Sequence, residues 1–418
     1  MNTALNATPA HLAQRYAEVR DRSLALCATL EDEDMVIQSM PGASPSKWHL
    51  AHTTWFFEQF ILGRDPRYQP YNRDWAYLFN SYYQTVGPMH ERSQRGLLSR
   101  PTVTEIRQYR QAIDEQMQAL LASEADAGTC GLVQLGLNHE QQHQELLLTD
   151  IKHALWTHPL RPAFRPVRPP RPLPTPQPSA LEYLLGIEGL AEIGWQGKAF
   201  AFDNEMPRHK TWLAPHTIAN RLITNGEYLE FIRSGGYREP ALWLAEGWDA
   251  VRAGNWQHPL YWEDGLDAEY TLDGMQTLDP LLPVCHISYF EADAFARWAQ
   301  ARLPTEAEWE VLASRYPIGG NFVESGALHP QAAPTQSGAV QLFGDVWEWT
   351  ASPYVNYPGF KPAAGAVGEY NGKFMSSQIV LRGGSCATPQ NHIRASYRNF
   401  FHPAERWQFM GVRLGHDA

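Results

Sequence analysis

The stretch Pro159–Pro178, PLRPAFRPVRPPRPLPTPQP, holds nine prolines in twenty residues. Proline lacks a backbone N–H and locks φ, so this run can be neither helix nor central strand; polyproline II is its natural state. It therefore divides the chain. We read residues 159–180 as a linker between a first domain, residues 1–158, and a second, residues 181–418. A length of 418 residues suits two domains, each large enough to bury its own core.

Ahead of the linker the pattern is helical. Thr8-Pro9 reads as an N-cap followed by proline at the first helical position, and Leu12, Tyr16 and Val19 then share a face. Ser44-Pro45 opens a second helix through Trp48, His52, Trp55, Phe56 and Phe60. Thr102 and Glu105 have capping-box spacing before Ile106, Tyr109, Ile113, Met117 and Leu120, and a fourth helix covers about Leu132–Leu155. Four amphipathic helices imply a four-helix bundle. The connection from Gly63 to Arg100 is long and rich in aromatics and arginines, and such loops are usually functional. Beyond the linker, short apolar runs alternate with Gly, Asn, Asp and Pro. Helices are expected at Asn225–Ser234 and Ser288–Arg302 within irregular α+β structure.

Composition excludes several functions. The net charge is −11, which leaves no electrostatic footprint for nucleic acid. Nor is there a polybasic patch to hold an anionic membrane. No apolar run reaches the roughly 18 residues of a membrane span, and the start MNTALNATPAHLAQRYAEVRDR lacks the form of a secretory signal. Cys27, Cys130, Cys285 and Cys386 are far apart and show no CxxC spacing, so neither a zinc ribbon nor a disulfide scaffold is expected. A reduced, cytoplasmic location follows. Homo-oligomerisation stays open.

The strongest local signal is Asn138-His139-Glu140-Gln141-Gln142-His143-Gln144-Glu145. Residues four apart on a helix project from one face, so His139 and His143 form a two-point ligand set. The segment also matches H-E-x-x-H, in which Glu140 would be the general base of a zinc peptidase. His52 sits among aromatics on the second helix, and a histidine facing inward from a neighbouring helix is how bundles complete metal sites. His49, one turn back, competes for that place. Three imidazoles leave coordination positions open, which suits a catalytic metal.

The first domain, with His52 and His139-x3-His143-x-Glu145, resembles the DinB-like bundle of the ergothioneine-biosynthesis sulfoxide synthases. The second resembles the formylglycine-generating-enzyme, or sulfatase-modifying-factor, fold, a C-type-lectin-like architecture. Its carriers are LPTEAEWE at 303–310, GDVWEWT at 344–350, LRGGS at 381–385, IRASYRN at 393–399 and GVR at 411–413. The resemblance implies a mononuclear non-haem Fe(II) enzyme that uses O2 as co-substrate. It would join a cysteine sulfur to C2 of the imidazole of Nα-trimethylhistidine (hercynine) and oxidise that sulfur to a sulfoxide.

Carried over residue by residue, His52, His139 and His143 match the iron ligands, and Gln142 matches a glutamine that hydrogen-bonds the substrate imidazole. Arg92 and Arg95 match arginines that hold the sulfur substrate's carboxylate, for which a guanidinium fork is suited. Tyr82 and Tyr83 resemble a tyrosine pair that supplies a proton or hydrogen atom, with Tyr354 and Tyr357 as weaker candidates. Asn399, beside Arg398, matches a contact to the amino-acid end of hercynine, and Phe400 could face the trimethylammonium. The actinobacterial branch has Asp where this chain has Phe401 and Arg where it has Glu405. Those residues hold a γ-glutamyl arm, so free cysteine is the expected donor rather than γ-glutamylcysteine. Cys386 has lost the partner cysteine of formylglycine-generating enzymes and reads as a buried small residue.

Two rivals remain. An ovothiol-type synthase would bond sulfur to C5 of histidine, but such proteins usually carry a methyltransferase domain, and no glycine-rich S-adenosylmethionine motif appears here. A zinc metallopeptidase would use Glu140 but leave His52 and the second domain without a role.

Overall fold

In a computed structural model of the chain, residues 9–123, 125–165, 180–363, 365–369 and 371–418 are described. The chain forms two compact units. The first comprises the chain up to Pro159 together with Gly197–Phe202 and Pro362–Gly372; the second comprises the remainder.

The first unit is helical, with α1 (Pro9–Leu26), α2 (Ser46–Phe60), the short α3 (Trp75–Phe79), α4 (Val103–Ala122) and α5 (Ala127–Thr157). The four long helices pack on one another as a bundle, and α3 lies within the long 63–100 connection. Helix α4 opens on the expected box: the Thr102 hydroxyl accepts from the Glu105 N–H, and Glu105 returns a bond to the Thr102 N–H. The expected cap at Thr8 falls outside the described residues. Helix α5 starts earlier than Leu132, because the Asp126 carboxylate accepts the Thr129 N–H and so satisfies an otherwise unpaired donor of the first turn. Gly136 lets α5 lie close against α2: a Cβ there would sit 2.6 Å from Cε1 of Phe57.

A buried ionic cluster ties three of these helices together. Glu140 of α5 is fully buried and accepts from Arg20 Nη1 (2.9 Å) and Ser23 Oγ (2.6 Å) of α1 and from Arg110 of α4. Arg20 also pairs with Asp114 and donates to Thr54. Burial alone would raise the Glu140 pKa, but the two guanidinium groups and the Ser23 hydroxyl bring it down to about 2.

The second unit is a set of small sheets joined by short helices. Strands β1 (Tyr183–Leu185), β4 (His216–Ala219) and β11 (Gly415–Asp417) form one sheet, with β4 central and both pairings antiparallel. Strands β7 (Trp347–Pro353), β8 (Ile379–Arg382), β9 (Asn399–Phe401) and β10 (Met410–Gly411) form another in the order β10-β7-β8-β9. Two antiparallel pairs, β2 (Gly189–Ile193) with β3 (His209–Leu213) and β5 (Ala268–Thr271) with β6 (Gly274–Thr277), complete the strands.

The helices of this unit are α6 (Asn225–Arg233), α7 (Ala245–Gly254), α8 (Tyr289–Trp298) and α9 (Glu306–Ala313). Helix α6 lies where expected. Helix α8 stops short of Arg302, whose guanidinium is instead drawn to Glu308 and Asp417. Helices α7 and α9 add to the expected pair, and α9 opens on a Thr305–Glu308 capping box.

The motifs behind the resemblance form the polar core of this unit. Glu306 of α9 binds Arg382 of β8 and Arg398, while Glu348 of β7 takes both Arg413 (2.7 and 2.9 Å) and the Trp309 indole N–H (2.9 Å). Trp262, Trp309, Trp347 and Trp349 are all fully buried in this unit. Buried ion pairs add modestly to stability but are costly to break, so they hold the strands in one register. Cys386 is fully buried, and none of the four cysteines is in a disulfide.

The proline-rich run divides in two. Pro159 closes the first unit, while residues 160–165 belong to the second and dock on β5–β6: Phe164 N–H donates to Leu272 O (3.1 Å), Tyr270 Oη donates to Pro162 O (2.6 Å), and Arg165 pairs with Asp273. Residues 166–179 fall outside the described residues.

Candidate metal centre

Helix α2 presents His52, and α5 presents His139 and His143 one turn apart. One ring nitrogen from each lies within 4.8 Å of the others. His52 Nε2 is 3.2 Å from His139 Nε2, and the three ring centroids are 4.6–4.9 Å apart. His52 and His139 are buried; His143 is partly exposed.

Burial lowers all three pKa values, that of His139 to about 3. Each also lies beside another histidine that opposes protonation. The imidazoles are therefore neutral at physiological pH and keep lone pairs for a metal. His52 Nδ1 lies 2.6 Å from the carbonyl oxygen of Phe79. A carbonyl only accepts, so Nδ1 carries the hydrogen and Nε2 faces the cluster with its lone pair. Nothing about this donor set conflicts with a divalent transition metal: three convergent neutral nitrogens suit iron or zinc.

His49, the competing ligand, is not part of the trio. It stands behind His143, with Nδ1 2.9 Å from His143 Nδ1 and Nε2 3.0 Å from Asp150 Oδ2. Glu140 faces the opposite way, into the Arg20–Arg110 cluster. A carboxylate with a pKa near 2, committed to two arginines, has neither the basicity nor the position of a peptidase base.

Arg95 reaches the same region. It is 3% exposed, its guanidinium carbon lies 3.4 Å from the centroid of Trp48, and Trp48 stacks on His52 at 4.6 Å and 12°. Its Nη1 and Nη2 donate to the hydroxyls of Ser44 and Ser81, both at 2.9 Å. Its Nε makes no hydrogen bond, and no carboxylate of the described residues lies within ion-pair distance. Burial, followed by the neighbouring Arg92, lowers its pKa well below the usual guanidinium value. Arg92 itself is exposed and donates to the Gly42 carbonyl.

Tyr83 is fully buried against Trp55, Phe56 and Phe60, with its hydroxyl 3.3 Å from that of the partly exposed Tyr82. Burial, then the neighbouring Tyr83, raises the Tyr82 pKa, so its phenol holds its proton at neutral pH. The turn after this pair is capped from far along the chain: Glu369, in the returning segment Pro362–Gly372, accepts the backbone N–H groups of Gln84 and Thr85, both at 3.0 Å. Nothing in the local pattern signals that return. Gln142, between the two histidines of α5, is partly exposed.

The remaining predicted contacts lie in the second unit. Arg398 is buried, with its guanidinium engaged by Glu306 and the carbonyls of Asn204 and Val355. It pins the start of β9. Asn399 and Phe400, which follow on that strand, are partly exposed; the Asn399 side chain accepts the Phe400 N–H. Phe400 stacks on Tyr354 at 4.0 Å. Tyr354 and Tyr357 are buried, and both are bonded within this unit, to Asn204 and Glu306. Phe401 packs edge-on to Trp407.

Comparison with known proteins agrees with this architecture. Residues 15–147 match the DinB superfamily and residues 173–418 match the sulfatase-modifying factor enzyme 1-like domain. A hercynine oxygenase of Mycobacterium tuberculosis is 31% identical over 98% of this chain and 99% of its own. The chain belongs to the hercynine oxygenase family. A second member, from Mycolicibacterium thermoresistibile, is 32% identical over 98% of this chain and 95% of its own. The formylglycine-generating enzyme of Streptomyces coelicolor is 28% identical over 53% of this chain and 84% of its own. Membership makes the chain an oxidoreductase. No helix of the described residues is long and apolar enough to cross a membrane.

Proposed function

We propose that the chain is an Fe(II)- and O2-dependent sulfoxide synthase of ergothioneine biosynthesis, joining cysteine to C2 of hercynine. The observation that carries this reading is the trio His52, His139 and His143. It stands beside a buried arginine that makes no contact ion pair, in a chain that aligns end to end with hercynine oxygenases.

The reaction balances without a further reductant. One S–C bond and one S–O bond form, the thiol S–H and the imidazole C–H break, and the four electrons released reduce O2 to the sulfoxide oxygen and one water. Iron held by the trio would supply the electron transfer between sulfur and O2 and leave positions for both substrates.

The protein's own groups do the rest. Arg95 binds the cysteine carboxylate: a buried guanidinium stacked on Trp48, with Asp150 nearby but no carboxylate in contact, can take an anion directly. Arg92 flanks it. Gln142 orients the hercynine imidazole beside His139 and His143. Asn399 and Phe400, held by Arg398, receive the amino-acid end and the trimethylammonium. Tyr82, hydrogen-bonded to Tyr83, supplies the proton or hydrogen atom. Phe401 and Glu405 offer no cation to a γ-glutamyl carboxylate, which favours free cysteine. The enzyme acts in the cytoplasm.

The test is O2 uptake by metal-stripped protein reconstituted separately with Fe(II) and Zn(II). Uptake that requires Fe(II), cysteine and hercynine together supports the reading. Peptide cleavage by the Zn(II) form, with no O2 uptake by the Fe(II) form, contradicts it.

A further inference from the structure

His49 and Asp150 stand behind the trio, and neither has a part in the reaction as described. Asp150 is buried two turns beyond His143 on α5, and its Oδ2 accepts both the Ser44 N–H at the head of α2 (2.8 Å) and His49 Nε2 (3.0 Å). On its other side, His49 Nδ1 is 2.9 Å from His143 Nδ1. The row Asp150–His49–His143 thus links a carboxylate to a ligand through one intervening imidazole.

Hydrogen-bond chemistry gives this row a direction. A carboxylate accepts, so a His49 hydrogen sits on Nε2, and Nδ1 is the atom that faces His143 as acceptor. Two lone pairs cannot share 2.9 Å, so His143 Nδ1 must donate. The His143 hydrogen is then held on the nitrogen away from the cluster, and Nε2 turns its lone pair inward. The opposite assignment would place the His49 Nε2 lone pair against the carboxylate and a hydrogen on the nitrogen His143 needs for a metal.

We propose that His49 and Asp150 are a positioning pair. They fix the tautomer and ring angle of His143 from behind, as the Phe79 carbonyl does for His52. The proposal rests on the three-histidine metal site. Loss of such an outer partner typically weakens metal binding about 10–100-fold. Asp150 also holds the head of α2, so the same carboxylate couples the placement of the helix carrying His52 to the orientation of a ligand on α5.

Two substitutions separate this role from plain packing. In His49→Asn, Oδ1 falls near the place of Nδ1 and can still accept from His143. In His49→Gln, Nε2 falls near the place of the imidazole Nε2; it keeps Asp150 but loses the acceptor for His143. The measurement is Co(II) affinity of the metal-stripped full chain, by competition with a chromophoric chelator, with apo-protein Tm in parallel. Expected are a Kd for His49→Asn within about threefold of wild type and a Kd for His49→Gln about 10–100-fold weaker, at similar Tm values. Equal affinity for wild type and His49→Gln overturns the pair while leaving the metal site intact. So does an equal loss in both variants that follows a common fall in Tm. A wild-type chain that binds no Co(II) overturns the metal site, and the pair with it.

Discussion

Glu140→Gln separates the two readings of the H-E-x-x-H segment by stability rather than by activity. Glu140 is fully buried between Arg20 and Arg110, with Ser23 as a third donor. Folding lowers its pKa from 4.5 to about 2, a differential stabilisation of the charged form of about 3 kcal/mol. Removing one partner from a buried pair costs about 3–5 kcal/mol, and the two figures agree. Gln keeps an acceptor but brings an amide N–H₂ up against two guanidinium groups, and Asp114 compensates only Arg20. The expected result in urea unfolding is a loss of about 3 kcal/mol in the helical unit. The three histidines do not touch Glu140's partners, so the folded variant should still bind Co(II).

The pH dependence has a definite sign. The folded pKa lies below the unfolded one, so this stabilisation is complete above about 4.5 and disappears as pH falls toward about 2. Wild type should therefore lose stability across that window, and Glu140→Gln should lose less. A variant with wild-type stability and the same acid profile would refute the ion-pair role.

Three further outcomes follow from the same geometry. Gly136→Ala puts a Cβ 2.6 Å from Phe57; the helix-propensity gain of about 1 kcal/mol opposes an overpacking cost of about 1–3 kcal/mol, so thermal unfolding should show a lower Tm, with weaker Co(II) binding as α5 is pushed off α2. Arg95→Lys loses the forked contacts to Ser44 and Ser81 and the stacking on Trp48, so steady-state O2 uptake should show a cysteine KM raised about tenfold or more, with kcat less affected. Glu348→Gln leaves Arg413 buried without its counter-charge, but burial raises the Glu348 pKa and offsets part of that pairing, so urea unfolding should show a smaller loss in the second unit, about 1–3 kcal/mol.

What was legible in the sequence was local. The Thr102–Glu105 box marks the start of α4 because its two reciprocal bonds need only residues three apart. The spacing of His139 and His143 places both on one face for the same reason. His49 and His52 are also three apart on one helix, so spacing alone could not decide between them. The choice lies with Asp150, about a hundred residues on, which takes His49 away from the cluster. Glu140 was misleading for a similar reason: its partners Arg20 and Arg110 are remote in sequence, and nothing near residue 140 reports them. In the second unit the motifs at Glu306, Glu348, Arg382, Arg398 and Arg413 were visible, but their mutual pairing as a buried polar core was not. The return of residues 362–372 to cap the Tyr82–Tyr83 turn left no local trace.

The most direct test of the central claim is the identity of the product. Protein reconstituted with Fe(II) is given cysteine, hercynine and 18O-labelled O2, and the product is examined by mass spectrometry and carbon NMR. The account predicts a cysteine–hercynine conjugate with one labelled oxygen on sulfur and the new bond at imidazole C2. A bond at C5, a cysteine oxidised without coupling, or an unlabelled product would contradict it.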